Sequence, residues 1–447
     1  MNKILKDSLV VGFAVFAVFF GAGNMIFPPG IGLDSGAHWM PAVAGLALSG
    51  IAIPILSIIA TANMGDSFSD IARPVGTWFE KTFMTCGLFI IPFITTPRTG
   101  GVAFETGFQG VFPDLPSWSV YVFLIVYFGL TYLFVNNKSK IVDYIGQYLT
   151  PILLAILLFI VVMAFIRPIG VPVGDGHVEN SFSNAFIYAY QLGDLLTGLA
   201  VASIYVGTIT EKGYTLKKDK MKIMRNAAVV AFVGLFVVYG GLLYLGACSE
   251  KLFPADIDDT ALLVGVVRTL LGNGGMVALG IAVILACLTT SIGLTAIGAD
   301  FFEKMTKGKV SFKTSSFIIA IICVVQASGG VNKIIQWSAP VFLFMYPMAI
   351  VLTILGLLRK FIPSDAAWKG AIITSMVIGA YDAFNAMRGN GILTVSTPGL
   401  DRLVASIPFA DVGFTWIVPC ILGTIVGAVI GHFVKKSGSS GPEERAA

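Results

Sequence analysis

Two glycines and an asparagine interrupt the first apolar segment of the chain, in the run GAGNMIFPPGIG that begins at position 21. Glycine lets the backbone unwind, and Pro28 and Pro29 lack amide hydrogens and so limit helical pairing beyond the break. In hydrocarbon, unwound backbone is tolerated only where it faces protein or a watery cavity, and its carbonyls and amides can then bind a cation and a carboxylate. A close helix crossing or a simple kink is the alternative, but the asparagine favours a binding site. The candidate residues are Gly21, Ala22, Gly23 and Asn24.

An aspartate stands beside a glycine in the middle of the sixth apolar segment, in the run YQLGD. A charge at a helix centre costs about 2.5 to 3.5 kcal/mol on insertion scales, so such a residue usually has a partner or a function. We expect a second unwound stretch here, where Asp194 binds a cation, orients an amine or caps the second half-helix. The candidate residues are Tyr190, Gln191, Gly193 and Asp194.

Three adjacent hydroxyl residues, Thr289, Thr290 and Ser291, lie in the eighth apolar segment. Oxygen ligands suit a hard cation such as sodium, especially beside the carbonyls of an unwound helix. Serine and threonine also commonly bond back to their own helix or across to a neighbour. The hydroxyls therefore predict an ion site only in combination with the first break.

Two charged residues, Arg98 and Glu105, lie seven positions apart in the third apolar segment. They share a helix face but are two turns apart, which is too far for the usual i,i+4 pair. Arg98 has three possible roles: it reaches a substrate carboxylate, it closes a gate by pairing with an acid such as Asp194, or it extends to the outer surface. The last two together outweigh the first, so Arg98 is kept only as a candidate ligand.

The elements that position these residues are predicted from composition. The chain has 447 residues, of which 56% are hydrophobic and 12% charged. A soluble domain carries roughly a quarter charged residues, so a soluble enzyme or a nucleic-acid-binding protein is nearly excluded. Apolar runs of the bilayer-crossing length of about 17 to 25 residues occur about twelve times, which predicts an all-α membrane protein. The segments are 7–29, 40–63, 82–111, 118–135, 141–167, 183–207, 227–248, 275–300, 315–328, 332–358, 367–386 and 412–434.

The basic residues predict the orientation of the chain. Lysine and arginine bias short loops toward the cytoplasm. Most of the 29 basic residues fall on loops that are cytoplasmic when the N-terminus is inside, including a cluster at 212–225. We therefore expect both termini to be cytoplasmic, and we interpret the cluster as a topology-setting loop rather than a lipid head-group site.

The two breaks fall in the first and sixth predicted helices. Five helices per unit is an odd number, so a second copy of the unit must enter the membrane from the opposite side. This spacing predicts an inverted repeat with discontinuous helices 1 and 6. The predicted units are a first five-helix repeat at 1–167, a second at 182–358, two extra helices at 366–435 and a disordered cytoplasmic tail at 436–447.

Three motifs of the chain resemble those of bacterial branched-chain amino acid transporters of the BrnQ type, the LIVCS family of cation symporters. They are GAGNMIFPPGIG from Gly21, PRTGGVAFETGF from Pro97 and the run from Tyr190 to Asp194. The last departs from the family pattern, in which a threonine and a methionine typically precede the aspartate, and PRTGG replaces the more usual PRTAT. The resemblance implies a leucine-transporter fold in the bacterial inner membrane, in which helices 1, 2, 6 and 7 move against a scaffold.

The resemblance also implies roles for individual residues. The GxGN match makes 21–24 the segment that binds the substrate carboxylate, and the run that ends at Asp194 lines the other side of the substrate. The carbonyls of Ala17 and Phe20 and the hydroxyls of Thr289 and Thr290 then correspond to a sodium site. Ser291 is the alternative to one of these threonines in that site.

The expected function is sodium-coupled symport of Leu, Ile or Val into the cell by alternating access. The expected partners are the amino acid, sodium and membrane lipid, with no cofactor, no nucleic acid and no enzymatic activity. A proton-coupled carrier, with Asp194 or Glu105 as the titrating group, stays open, as does a carrier of alanine, serine or a polyamine. An ion channel or a membrane-embedded enzyme is disfavoured, because the sequence has no apparent filter, charged ring or catalytic cluster.

Overall fold

The computed structural model describes residues 3–65, 67–136 and 140–438, and within these ranges the chain forms helices and connecting turns with no β-strand. Six helical spans of the described residues, one of which covers Gly23–Met64, are long and apolar enough to cross a membrane, and one further pair, bent by 50°, makes a seventh candidate. Shorter apolar helices lie at Ile152–Ile166 and Phe312–Ala327. The predicted fold class, an all-α membrane protein, is confirmed, whereas the count of twelve helices and the inverted repeat stay predictions.

The first predicted segment is two helices, α1 (Lys3–Phe19) and α2 (Gly23–Ser35). The break between them lies where the glycines were expected to unwind the chain. The prediction that the helix ends near the two prolines is wrong, because α2 continues through both of them. Proline has a helical φ angle, and each ring removes only one hydrogen bond, so an otherwise buried helix tolerates it.

The remaining helices follow in chain order. They are α3 (39–64), α4 (Phe68–Ala72), α5 (77–111), α6 (Ser119–Asn136), α7 (Lys140–Ile166), α8 (Ser181–Leu192), α9 (Asp194–Glu211), α10 (Lys217–Ala247), α11 (Asp259–Met305), α12 (Phe312–Ala327), α13 (Val331–Leu357), α14 (Asp365–Gly389), α15 (Pro398–Ala405) and α16 (Ile417–Gly438).

Three predicted boundaries differ from the structure. Helix α11 consists of two stretches joined by a kink at Gly272, whose φ of 67° suits glycine; the second stretch begins close to the predicted 275, whereas the stretch from Asp259 to the kink was not predicted. The basic cluster is helical from Lys217 onward rather than a loop, because lysine and arginine are good helix formers. Helix α16 extends to Gly438, into the predicted tail, and residues 439–447 lie outside the described residues.

Close backbone contact joins α2 to α10. A β-carbon on Gly32 would meet the backbone of Leu243, and one on Gly246 would meet the backbone of Pro29. Only glycine permits the two helices to approach this closely. The contact holds the broken first helix against α10, and this matters because α10 contributes a side chain to the candidate site.

Candidate functional site

The two predicted breaks meet in the interior of the protein. The Asn24 side-chain amide donates one hydrogen bond to Asp194 Oδ2 at 2.7 Å and another to the Tyr239 hydroxyl. Its carbonyl oxygen accepts a hydrogen bond from the Gly21 amide at 3.1 Å. The Tyr239 hydroxyl in turn donates to the carbonyl of Phe19, the last residue of α1, at 3.3 Å. Asn24 therefore connects both ends of the first break to the start of α9.

A left-handed residue produces the second break. Gly193 has φ 79° and ψ 0°, a conformation that strongly favours glycine, and it separates α8 from α9. Asp194 is the first residue of α9 and is only 5% exposed. Since its carboxylate accepts a hydrogen bond from Asn24, it joins two broken helices, which goes beyond the capping role that the sequence also allowed.

Arg98 reaches the same region from α5. It lies between two π-helical stretches, Ile91–Thr95 and Ala103–Phe108, a feature often found at functional sites. Its Nη1 donates to the Gln191 carbonyl at 2.7 Å, and the guanidinium lies 5.3 Å from the centre of the Phe27 ring. The side chain is 5% exposed, so the prediction that it extends to the outer surface is wrong.

The guanidinium also lies beside the first break. A β-carbon on Gly23 would come within 3.3 Å of Arg98 Nη2. Among the ion pairs that the described residues form, none joins Arg98 to Asp194, so the predicted gate pair is absent from this conformation. A buried cation whose closest partner is a backbone carbonyl can accommodate a further anionic group.

Sequence reasoning missed the polar residues that α10 and α13 contribute. These are Tyr239 and also Ser338, whose hydroxyl donates to Gln191 Oε1 at 2.8 Å. The Tyr190 ring stacks on Tyr346 with the ring centres 4.4 Å apart. No local signal marks these residues, because a tyrosine or serine in an apolar helix is ordinary until its neighbours are known.

The predicted sodium residues are more dispersed. The hydroxyls of Thr289 and Thr290 both donate to the Ala286 carbonyl of their own helix, at 2.8 and 3.0 Å. The Ser291 hydroxyl lies 3.2 Å from that of Thr131 on α6.

Phe20, the first residue after α1, is buried, whereas Ala17 lies on an exposed face of α1. The hydrogen bonds of the described residues join none of the five predicted sodium ligands to one another.

A cavity of about 160 Å³ begins at the second break. Its walls come from α4, α5, α9, α11 and α13 and are almost entirely apolar. It includes Gly193 and Phe342 near the site and extends to Phe68 and Phe83 near the end of the bundle where α1 begins. The site therefore combines polar groups at the breaks with an adjoining apolar space.

Over the described residues the fold is helical, and its two discontinuous helices meet at polar groups in the interior, the arrangement of the leucine-transporter class of fold. In fold, the chain is similar to the inward facing conformation of Mhp1, with a TM-score of 0.58 and 15% identity over 96% of this chain and 91% of that one. It is also similar to MhsT in complex with L-phenylalanine, with a TM-score of 0.50 and 14% identity over 85% and 98%.

Within this class, the sequence profile described as "Branched-chain amino acid transport protein" matches residues 4–434, so the chain belongs to that family. Branched-chain amino acid permease BraB of Bacillus subtilis (strain 168) is 33% identical, with 97% of each chain covered. BrnQ of the same organism, also a branched-chain amino acid permease, is 32% identical over 98% of this chain and all of the relative. The predicted family resemblance is confirmed, and the family is one of transporters rather than enzymes.

Proposed function

We propose that the protein carries leucine, isoleucine or valine into the cell by alternating access, coupled to sodium. The observation that carries the proposal is the hydrogen bond between Asn24 and Asp194, because it joins the two broken helices at one buried point. Exposed amides and carbonyls of broken helices are suited to charged ends of small solutes. The names of BraB and BrnQ support a branched-chain amino acid as the solute.

The amino acid carboxylate would bind at the start of α2. The first amides of a helix lack partners within the helix, and the dipole there favours negative charge. The Gly23 amide is one of them, whereas the Gly21 amide already donates to Asn24. The guanidinium of Arg98 lies beside Gly23 and adds a second attraction for the carboxylate.

The branched tail would enter the apolar cavity beside Gly193. Burial of such a side chain contributes roughly 1.5 to 3 kcal/mol. That is enough to favour Leu, Ile or Val over glycine or alanine by about one or two decades in affinity. It does not separate leucine sharply from isoleucine, since the two expose the same number of carbon atoms.

Sodium is proposed as the coupling ion on the basis of the residues around α11. Thr289 and Thr290 provide two neighbouring hydroxyl oxygens, and the end of α1 provides carbonyls near Phe20. No hydrogen bond of the described residues joins the two sets of oxygens, so we infer that ion binding draws the end of α1 and α11 together. Such a movement would link ion binding to closure, as symport requires. In the proton-coupled alternative, Asp194 or Glu105 binds the coupling proton instead.

We infer that both termini face the cytoplasm of a bacterial inner membrane, in contact with its lipid. Lys212, in the turn after α9, lies 3.5 Å from Asp7 near the start of α1. Lys217 at the start of α10 belongs to the same end of the bundle and donates to the Asn63 carbonyl at 3.1 Å. The concentration of lysine at this end supports the assignment.

Uptake of labelled leucine into proteoliposomes tests the proposal. Sodium and proton gradients are imposed separately, and we expect accumulation with the sodium gradient alone at fixed pH. Accumulation only with a proton gradient would overturn sodium coupling. Accumulation under neither gradient, with normal folding, would overturn the symporter itself. Competition by isoleucine and valine, but not by alanine or putrescine, is the expected specificity.

A further inference from the structure

Three consecutive residues at the start of α11 bond to three different helices. Asp258 Oδ1 accepts a hydrogen bond from Asn332 of α13 at 2.7 Å. Asp259 Oδ2 accepts one from the Tyr188 hydroxyl of α8 at 2.7 Å. The Thr260 hydroxyl donates to Glu105 Oε2 of α5 at 2.6 Å. We call the segment 258–260 the clasp.

The clasp does not follow the usual chemistry of a helix start. Aspartate or threonine at such a position ordinarily accepts hydrogen bonds from the first amides of its own helix. The side chain of Asp258, the residue that precedes α11, makes no such cap. Here the side chains bond to distant helices instead of capping their own helix. Such departures from local sequence rules are typical of functional elements.

One side of the clasp is a closed network around Glu105. Its second oxygen, Oε1, accepts a hydrogen bond from the amide of Val331 at 2.8 Å, at the first residue of α13. The preceding Gly330 has φ 89°, which lets the chain turn into that helix. Glu105 thus holds the starts of α11 and α13 together against α5, and Asn332 adds a second bond between them through Asp258.

The other side of the clasp faces a different part of the molecule, where Asp259 accepts the Tyr188 hydrogen bond and its Oδ1 lies against Gly30 of α2. Tyr188 belongs to α8, the helix that precedes the second break, and its ring packs edge-on against Phe27 of α2 at 5.6 Å. Tyr188 therefore belongs to the broken helices, and its bond to Asp259 joins them to α5 and α13 through the clasp. Both sides meet at the end of the bundle opposite the start of α1.

We propose that the hydrogen bond between Tyr188 and Asp259 keeps the outer side of the transporter closed, with residues 259–271 of α11 as the lid. When this bond breaks, the lid stays with Glu105 and α13, and the broken helices separate from it. The inference rests on the proposed alternating-access function. It states that the outer side opens when the hydrogen bond between these two residues breaks. Tyr188→Phe then favours the conformation that is open to the outside.

Amide hydrogen exchange of the full-length protein in nanodiscs, without substrate, tests the proposal. We expect Tyr188→Phe to increase exchange in the 259–271 peptides by up to about tenfold, as loss of one buried hydrogen bond predicts. Asp259→Ala, which removes the acceptor, should have a similar effect. The exchange rate of these peptides in the double variant should be close to the rate in either single variant, because both changes remove the same hydrogen bond.

Tyr381→Phe is the matched control. Its hydroxyl donates to Asp401 at 2.9 Å, so it removes the same kind of bond, but between α14 and α15. This variant should leave the amide exchange of the 259–271 peptides unchanged. Equal exchange in wild type, Tyr188→Phe and Asp259→Ala would overturn the proposal, and so would an equal increase in the control.

Two further measurements distinguish a misfolded variant from a failure of the proposal. Unchanged exchange in α14 shows that a variant is folded, and Asp259→Ala replaces Tyr188→Phe if the latter is not. Glu105→Gln should increase exchange at the start of α13, which Tyr188→Phe should leave protected. Because exchange is measured without substrate, increased lid exchange together with absent leucine transport would refute the proposed function and leave the clasp standing.

Discussion

Asn24 and Asp194 are 170 positions apart in the chain, yet the side-chain amide of the first donates to the carboxylate of the second at 2.7 Å. The bond is buried and connects the start of α2 to the start of α9. Each residue follows a helix break, so a shift of either break would disturb the other. This coupling is the basis for the predictions on substrate binding.

Asn24→Leu should lower leucine affinity at least about tenfold. The leucine side chain is similar in size but leaves the Asp194 carboxylate and the Tyr239 hydroxyl without their shared donor, and an unpaired buried polar group costs about 1–3 kcal/mol. Equilibrium binding of labelled leucine to the purified protein measures the change. Asn226→Leu is the control, because among the described residues the Asn226 side chain makes one long hydrogen bond, to the Ser8 hydroxyl at 3.4 Å. Equal affinities for the two variants would contradict the assignment.

Tyr239→Phe should lower leucine affinity by about three- to tenfold, since one neutral hydrogen bond contributes roughly 0.5–1.5 kcal/mol. The change removes the hydroxyl that connects Asn24 to the Phe19 carbonyl. Tyr205→Phe is the matched control, as its hydroxyl donates to the Ala14 carbonyl at 3.0 Å, elsewhere on α1. Isothermal titration of both variants distinguishes a specific effect from a general loosening of α1.

Arg98→Lys should reduce leucine binding by about tenfold or more even though the charge is retained. Lysine lacks the planar fork with which arginine can hold the Gln191 carbonyl and a carboxylate together. The exposed Arg167, changed to lysine, is the control. Saturation binding at constant pH measures the effect, and wild-type affinity in the Arg98→Lys variant would remove Arg98 from the site.

Gly193→Ala should destabilise the protein by about 1–2 kcal/mol, because an alanine at φ 79° is strained. A clash is not the cause, since the added β-carbon would lie 3.8 Å from the Phe342 ring. Gly193→Asn should be tolerated better than alanine. Gly207→Ala, which has open space within α9, should be neutral or slightly stabilising. Unfolding in lipid-detergent mixtures compares the three variants.

Thr290→Ala should raise the sodium concentration for half-maximal leucine uptake several-fold, and Cys420→Ala should not. Ser291→Ala should instead reduce stability with little effect on sodium, because the Ser291 hydroxyl contacts Thr131 of α6. Sodium titrations of uptake in proteoliposomes make the comparison. A larger sodium shift for Ser291→Ala than for Thr290→Ala would reverse the assignment of the two hydroxyls.

The breaks were predictable because their causes are local. Glycine relieves the steric limits on φ at its own position, so Gly21, Gly23 and Gly193 signal unwinding without knowledge of any neighbour. The boundaries near Pro28 and Asp259 were not predictable, because burial keeps α2 helical through its prolines and partner helices hold the start of α11.

The sequence by itself determined that the chain is an all-α membrane protein with two interrupted helices and few buried charges. The reason is that apolar segments and glycine breaks depend only on residues that are close together in the sequence. Only the tertiary structure decided which of these groups meet. Arg98 bonds to the Gln191 carbonyl and not to Asp194, and Glu105 bonds to Thr260 and the start of α13. Such pairings depend on how close helices distant in sequence approach one another, and packing of small residues such as Gly32 against α10 sets that distance.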